Sequence, residues 1–88
     1  MVSQEITIKN RAGIHARPAA KLVQLASEFS SQIFIEKDDE KINAKSIMGI
    51  LALGAAYKTT LIISAEGEDE QAALEALVQL FENRFEEE

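Results

Sequence analysis

The chain has 88 residues, 47% of them apolar and none of them cysteine, so we expect a single domain over residues 1–88 with one core and no disulfide. Nine Lys and Arg against fifteen Asp and Glu give a net charge of −6, which argues against a nucleic-acid partner because phosphate neutralisation needs surplus cations. No run approaches the roughly 18 apolar residues of a membrane span, and the first residues lack the layout of a signal peptide. We therefore expect a cytoplasmic protein without a membrane partner and, since no oligomer signature is present, a monomer.

The first two predicted elements are a strand and a helix. Val2, Ile6 and Ile8 alternate with polar residues, a pattern that indicates a half-buried strand. From about Ala16 to Phe29 the apolar residues follow helical spacing, and Pro18 fits only the first turn of such a helix.

The middle of the chain predicts a hairpin and a short helix. Residues 32–37 and 40–44 are rich in β-branched and aromatic residues, and Asp38-Asp39 between them favours a tight turn. Ser46 is a good N-cap for a short helix, and Gly54 lies where a helix can end in the left-handed conformation.

The last predicted elements are a strand over residues 58–65 and a helix after Gly67, where acidic residues favour a helix N terminus. The apolar stripe of this helix comprises Leu74, Leu77, Val78, Phe81 and Phe85. We expect residues 86–88 to fray. The whole order of elements predicts an α+β fold in which the helices pack on one face of a small sheet.

The charges are distributed unevenly around the only histidine. Residues 6–27 contain four Lys and Arg and no acid, and His15 lies in the middle of them, at the predicted turn from strand to helix. A helix N terminus presents backbone N–H groups and a partial positive charge, which bind anions, and Arg17 adds a fixed cation. The same field favours the neutral imidazole, which can accept a phosphoryl group. The alternative is that His15 only caps the helix or packs in a loop, with Arg17 solvated, and the residues alone leave both interpretations open.

Three segments resemble the HPr family, the histidine-containing phosphocarriers of the bacterial sugar phosphotransferase system. Residues 13–19 resemble the active-site signature of that family, residues 45–49 its regulatory serine segment, and residues 64–70 its last strand-to-helix turn. These segments read GIHARPA, KSIMG and SAEGEDE. The resemblance spans essentially the whole chain.

The resemblance implies an open-faced β-sandwich of order βαββαβα, with a four-stranded antiparallel sheet in the order 1-4-2-3 and three helices on one face. Strand alternation then points Phe34 and Ile62 to the uncovered face, where we expect them to pair across neighbouring strands. The opposite, core-facing set is Ile33, Ile35, Leu61 and Ile63.

The resemblance also implies a function. His15 would receive a phosphoryl group on Nδ1 from Enzyme I and pass it to the A domain of a sugar permease, with Arg17 stabilising the phosphate. Ser46 would be a regulatory phosphorylation site for a serine kinase and phosphorylase, and the serine-phosphorylated form could bind a transcription regulator.

The chain is not expected to be an enzyme, because it has no Gly-rich phosphate-binding loop and no cluster with metal-ligand spacing. We accordingly expect no cofactor and no metal. Ile47, Met48 and Leu51 are candidates for a docking patch for partner proteins. The alternative is that these residues belong to the core, which we favour for Leu51 and for its neighbour Ile50.

Two other functions remain open. A regulatory phosphoprotein would use Ser46 as a signal without serving any sugar permease. A small ligand-binding or peptide-binding module would make His15 incidental, since this layer architecture hosts many functions.

Overall fold

The computed structural model describes residues 1–86, which form a four-stranded antiparallel sheet, three α-helices and a short 3-10 turn. The strands are β1 (Val2–Thr7), β2 (Gln32–Lys37), β3 (Glu40–Asn43) and β4 (Thr60–Glu66), and the α-helices are α1 (Ala16–Ala26), α2 (Ile47–Leu53) and α3 (Glu70–Glu82). A C-terminal turn (Arg84–Glu86) follows α3. The strand order is β1-β4-β2-β3, and every pairing is antiparallel. The predicted open-faced α+β fold is confirmed.

Local signals set the ends of α2. The Ser46 hydroxyl accepts a hydrogen bond from the Gly49 N–H at 3.1 Å, which satisfies one of the unpaired donors of the first turn. Gly54 ends the helix with φ 64°, ψ 36°, a left-handed conformation that costs glycine little. Both predicted caps are confirmed.

Other boundaries differ from the sequence predictions. Helix α1 ends at Ala26 rather than near Phe29. The N–H groups of Glu28 and Phe29 donate to carbonyls three residues earlier, the tighter 3-10 pattern that is common at the end of an α-helix. Strand β3 ends at Asn43, whose side chain accepts from the Lys45 N–H at 2.8 Å. Strand β4 begins two residues later than predicted, since Lys58 lies in a turn with φ 71°.

The predicted helical stripe on α3 is correct except for its last member. Phe85 lies beyond the helix, in the C-terminal turn, so its assignment to the helix is wrong. Its ring is nevertheless fully buried and meets Phe81 edge-on at 4.8 Å between centroids. Glu86 belongs to the same turn and donates its N–H to Asn83, whereas residues 87–88 of the expected fraying segment lie outside the described residues.

The core lies between the helices and one face of the sheet. The four residues predicted to face it are each at most 1% exposed. They are Ile33, Ile35, Leu61 and Ile63. Burying an aliphatic side chain of this size is worth about 1.5–3 kcal/mol, so the sheet is held to the helices mainly through this face.

The other face of the sheet is uncovered, and its register corrects one expectation. Phe34 lies opposite Ser64, and Ile62 lies opposite Glu36, so Phe34 and Ile62 are diagonal neighbours rather than a direct pair. The ring of Phe34 is instead covered by Lys41, whose Nζ lies 4.8 Å from the ring centroid.

Candidate functional site

His15 occupies the N-cap position of α1 with an exposed side chain. Its backbone is extended (φ −99°, ψ −164°), and its carbonyl accepts the first helical hydrogen bond, from the Ala19 N–H at 2.9 Å. The imidazole itself makes no capping hydrogen bond to the helix. The interpretation that His15 serves as a side-chain cap is therefore wrong.

The start of α1 directs backbone donors toward the same surface. Pro18 carries no N–H, and the Ala19 N–H is already paired with His15, so the amides that helix geometry points out of this terminus are those of Ala16 and Arg17. Arg17 also carries an exposed guanidinium in this first turn. Imidazole, amides and cation thus lie together at one helix end, an arrangement suited to an anion.

The loop before α1 is fixed by close contact with a second loop. In this His15 loop (residues 8–15), Gly13 has φ +76°, and a Cβ at this position would lie 2.7 Å from the Ala55 carbonyl oxygen. Ile14 is buried and donates its N–H to the same Ala55 oxygen at 2.9 Å. Ile8 exchanges backbone hydrogen bonds with the same second loop, at Lys58 and Thr59. Only glycine fits at position 13, and backbone hydrogen bonds of Ile8 and Ile14 tie the loop to its neighbour near both ends.

Ser46 begins the second helix that borders the site. It is half-buried, and it lies at the opposite end of α2 from the residues that contact the His15 loop. Seven helical residues span about 10 Å at 1.5 Å per residue, so that is the approximate length of helix between Ser46 and that contact.

The surface of α2 carries exposed apolar side chains. Ile47 is 38% exposed, Met48 73% and Leu51 39%, whereas Ile50 is 2% exposed. Assignment to the core is therefore confirmed for Ile50 and wrong for Leu51. We call Ile47, Met48 and Leu51 the docking patch.

Sequence reasoning missed two polar contacts in the segments that flank His15. Asn10 is 3% exposed and donates from Nδ2 to the Arg84 carbonyl at 2.8 Å. Lys21 donates from Nζ to the Phe85 carbonyl at 2.7 Å. The partners are 74 and 64 residues apart in sequence, and no local pattern links them.

The described part of the chain holds no cluster of metal ligands around His15. Within residues 1–86 no three His, Cys, Asp or Glu side chains come together as metal ligands, and no helix there is long and apolar enough to cross a membrane. A shallow groove of about 450 Å³ lies between α1 and α3, bordered by Gln24 and Gln79, and His15 does not line it. The chemistry available at His15 is therefore that of an exposed imidazole beside amides and a guanidinium.

Comparison with known proteins finds relatives that share both sequence and fold. Residues 2–83 match the family model described as the PTS HPr component phosphorylation site. The phosphocarrier protein HPr of Treponema pallidum (strain Nichols) is 51% identical over 88 residues, which cover 100% of both chains. The crystal structure of HPr from Thermoanaerobacter tengcongensis superposes with a TM-score of 0.96 at 57% identity, covering 100% of this chain and 99% of the other. Crh of Bacillus subtilis, described as a catabolite repression protein that forms a swapped dimer, matches at 45% identity with a TM-score of 0.77, over 96% and 97% of the two chains.

Proposed function

Because this chain belongs to the HPr family and is a phosphocarrier of the phosphotransferase system, we propose that His15 is the residue that carries the phosphoryl group. The observation that carries the proposal is the exposed imidazole at the N terminus of α1, which makes no capping bond to the helix. A relay residue must be reached by a donor and then by an acceptor, and an exposed ring allows both.

The transfer requires little covalent help from this chain. The lone pair of Nδ1 of the neutral His15 ring attacks phosphorus on the phosphorylated donor, and the bond from phosphorus to the donor breaks as the new N–P bond forms. Phosphoryl transfer depends mainly on positioning and on stabilising the charge of the phosphoryl oxygens. The amides of Ala16 and Arg17 and the Arg17 guanidinium supply charge-assisted donors for those oxygens. In the onward transfer, a nucleophile of the acceptor attacks phosphorus, and the N–P bond breaks as His15 Nδ1 recovers its lone pair.

The partners in this proposal are Enzyme I as donor and the A domains of sugar permeases as acceptors. The docking patch supports the proposal, because its exposed apolar side chains lie on α2, whose C-terminal end leads directly to the Gly54–Ala55 segment that contacts the His15 loop. Apolar residues exposed together on one surface mark interaction sites. We place these encounters in the cytoplasm.

Ser46 is proposed as a regulatory site, phosphorylated by a serine kinase and restored by a phosphorylase. A phosphate of about −1.5 to −2 charge at the N terminus of α2 meets the positive end of the helix, so the fold tolerates it. The new charge lies beside Ile47 and Met48 and repels acidic partners from the docking patch. A transcription regulator that reads the phosphoserine is the further partner of this form.

A second candidate function is regulation without sugar transport, and the similarity to Crh favours it specifically, because that protein is described as one of catabolite repression. The two candidates differ in their dependence on His15. Only a transport carrier loses sugar uptake in a His15→Ala strain. A ligand-binding module, in which His15 would be incidental, is disfavoured because the chain belongs to a family of phosphocarriers.

The oligomeric state belongs to the same proposal. We propose a monomer as the form that exchanges phosphoryl groups, although the similar Crh structure is described as a dimer. Sedimentation at working concentration tests this, and a dimer that is phosphorylated as fast as the monomer would contradict it.

The decisive experiment uses phosphoenolpyruvate, purified Enzyme I and intact-mass measurement. We expect one added phosphoryl group that is acid-labile and base-stable, as a phosphoramidate is, and no addition to His15→Ala. His15 is the only histidine in the chain, so the variant isolates a single candidate. Equal phosphorylation of His15→Ala, or none of the wild type, would contradict the proposal.

A further inference from the structure

The C-terminal turn has an unusual backbone. Arg84, Phe85 and Glu86 have φ values of 55°, 55° and 62°, so three consecutive non-glycine residues adopt the left-handed conformation. Such residues normally visit this region singly, because Cβ crowds the backbone there. A turn of this kind persists only where other contacts hold it.

Two kinds of contact hold the turn. Phe85 is fully buried against Phe81, which fixes the turn to the end of α3. The carbonyls of Arg84 and Phe85 then accept hydrogen bonds from Asn10 and Lys21, at 2.8 and 2.7 Å. Adjacent carbonyls of one turn thus bind two distant parts of the chain.

Those two parts lie on either side of the candidate site. Asn10 lies in the His15 loop, and its own carbonyl accepts from the Gly13 N–H at 3.0 Å, closing the turn that leads to His15. Lys21 lies in α1, six residues after His15. The C-terminal turn therefore connects the segment before His15 with the helix after it.

We propose that Asn10 and Lys21 are positioning residues for phosphoryl transfer, holding the His15 loop and the start of α1 in fixed relation through the C-terminal turn. The inference rests on the proposed role of His15. The ring belongs to His15, which is both the last residue of the loop and the N-cap of α1, whereas the amides and guanidinium proposed to meet the phosphoryl oxygens lie in the first turn of α1. Transfer requires the ring and these donors to be aligned, and a misplacement of about 1 Å can lower a rate by up to roughly 100-fold.

The test uses Asn10→Leu, which keeps approximate volume and removes the donor, and Lys21→Met, which removes the other donor from a half-buried and more tolerant position. Lys21→Arg restores a donor and the charge. Lys41→Met is the matched control, because it removes the same charge from the uncovered sheet face. Each protein is assayed with phosphoenolpyruvate and Enzyme I over a range of its own concentration, and hydrogen exchange of the Gly13 amide is followed.

We expect Asn10→Leu and Lys21→Met each to lower kcat by about three- to tenfold with KM unchanged, and to accelerate Gly13 exchange. Lys21→Arg and Lys41→Met should stay near wild type. Wild-type kcat in both donor variants would overturn the proposal, as would a rise in KM shared by Lys21→Met and Lys41→Met, which would show a charge effect only.

The exchange measurement separates this inference from the proposed function. If the wild type accepts no phosphoryl group on His15, the proposed function fails, whereas faster Gly13 exchange in the variants still supports the mechanical link. Unchanged Gly13 exchange in both donor variants overturns the link, whatever the result for His15.

Discussion

Arg17 lies two residues after His15, in the first turn of α1. We expect its guanidinium to affect the rate of phosphoryl transfer rather than the stability of the fold. We predict that Arg17→Ala lowers the rate of His15 phosphorylation by about tenfold or more, because a donor aimed at developing charge is lost. Its unfolding free energy should stay within about 0.5 kcal/mol of wild type, since the side chain is exposed.

Two variants sharpen the Arg17 prediction. Arg17→Lys keeps the charge but loses the planar fork, so its rate should lie between those of wild type and Arg17→Ala. Lys41→Ala, on the uncovered sheet face, controls for the loss of one positive charge. An Arg17→Ala rate equal to wild type would remove the guanidinium from the mechanism.

Ser46 caps α2 and, in the proposed function, is also a regulatory site, and one set of variants can separate the two. Ser46→Ala should lower stability by about 1 kcal/mol, because the bond to the Gly49 N–H is lost, while Ser46→Asn and Ser46→Asp retain a capping oxygen. Only Ser46→Asp adds a negative charge beside the docking patch. We therefore predict that Ser46→Asp alone slows His15 phosphorylation, measured in the Enzyme I assay alongside urea unfolding.

The comparison of Ser46→Asp with Ser46→Asn decides the regulatory role. The two side chains have nearly the same shape and differ in charge, so equal rates would leave Ser46 as a helix cap only.

At the scale of elements, the uncovered face of the sheet gives a prediction about side-chain pairing. Lys41 covers the Phe34 ring, and an exposed cation–π contact of this kind is worth about 0.5–1 kcal/mol. A double-mutant cycle of Phe34→Leu and Lys41→Met should show coupling in that range. The cycle of Phe34→Leu with Ile62→Ala should show less, because these two residues are only diagonal neighbours. Stronger coupling of Phe34 to Ile62 than to Lys41 would mean that the register is wrong.

The same elements show what a sequence can reveal. Helix α2 was predictable to the residue because its start and end depend on Ser46 and Gly54, whose side-chain chemistry is local. The β2–β3 hairpin was predictable for the same reason, since its turn is Asp38-Asp39. The diagonal relation of Phe34 and Ile62 was not, because alternation gives the face of a residue but not its partner.

The residues of the candidate site also fall into those that the sequence predicts and those that it does not. His15, Arg17 and the N terminus of α1 are adjacent in sequence, so their convergence could be predicted from spacing. The support from Asn10 and Lys21 could not, because it depends on carbonyls of a distant turn, and a backbone acceptor leaves no signature in residue type.

For the molecule as a whole, Asp69 links two segments that are distant in sequence, the one after α1 and the start of α3. Its carboxylate accepts from the backbone N–H groups of Ser30 and Ser31, each at 2.9 Å, and from the Ser31 hydroxyl. These bonds join the segment after α1 to the start of α3. The hydrogen bond from the Ser31 hydroxyl, followed by that from the Ser30 N–H, lowers the pKa of Asp69 from 3.8 to about 2.

Because this pKa is lowered, the stabilisation that the Asp69 hydrogen bonds provide depends on pH. The folded pKa lies below the unfolded one, so the stabilisation is complete above about pH 4 and is lost as the pH falls toward 2. We predict that Asp69→Asn is less stable than wild type at pH 7 and that the difference falls steeply between about pH 4 and pH 2, measured by urea unfolding. Asp39→Asn, in the exposed hairpin turn, is the control and should match wild type throughout. A difference between Asp69→Asn and wild type that persists undiminished at pH 2 would contradict the assignment.

The placement of His15 on an open surface, rather than in a cleft, constrains the kinetics of the proposed relay. A single exposed surface binds one partner at a time, so the donor must dissociate before the acceptor binds. Each complete transfer therefore includes two dissociation steps. Throughput is then capped by dissociation rates, and a long residence time with either partner would stall the flow of phosphate. Short-lived encounters are therefore an advantage for the proposed relay. A contact surface as small as the three exposed apolar side chains of α2 favours them, whereas a larger apolar contact area would slow dissociation.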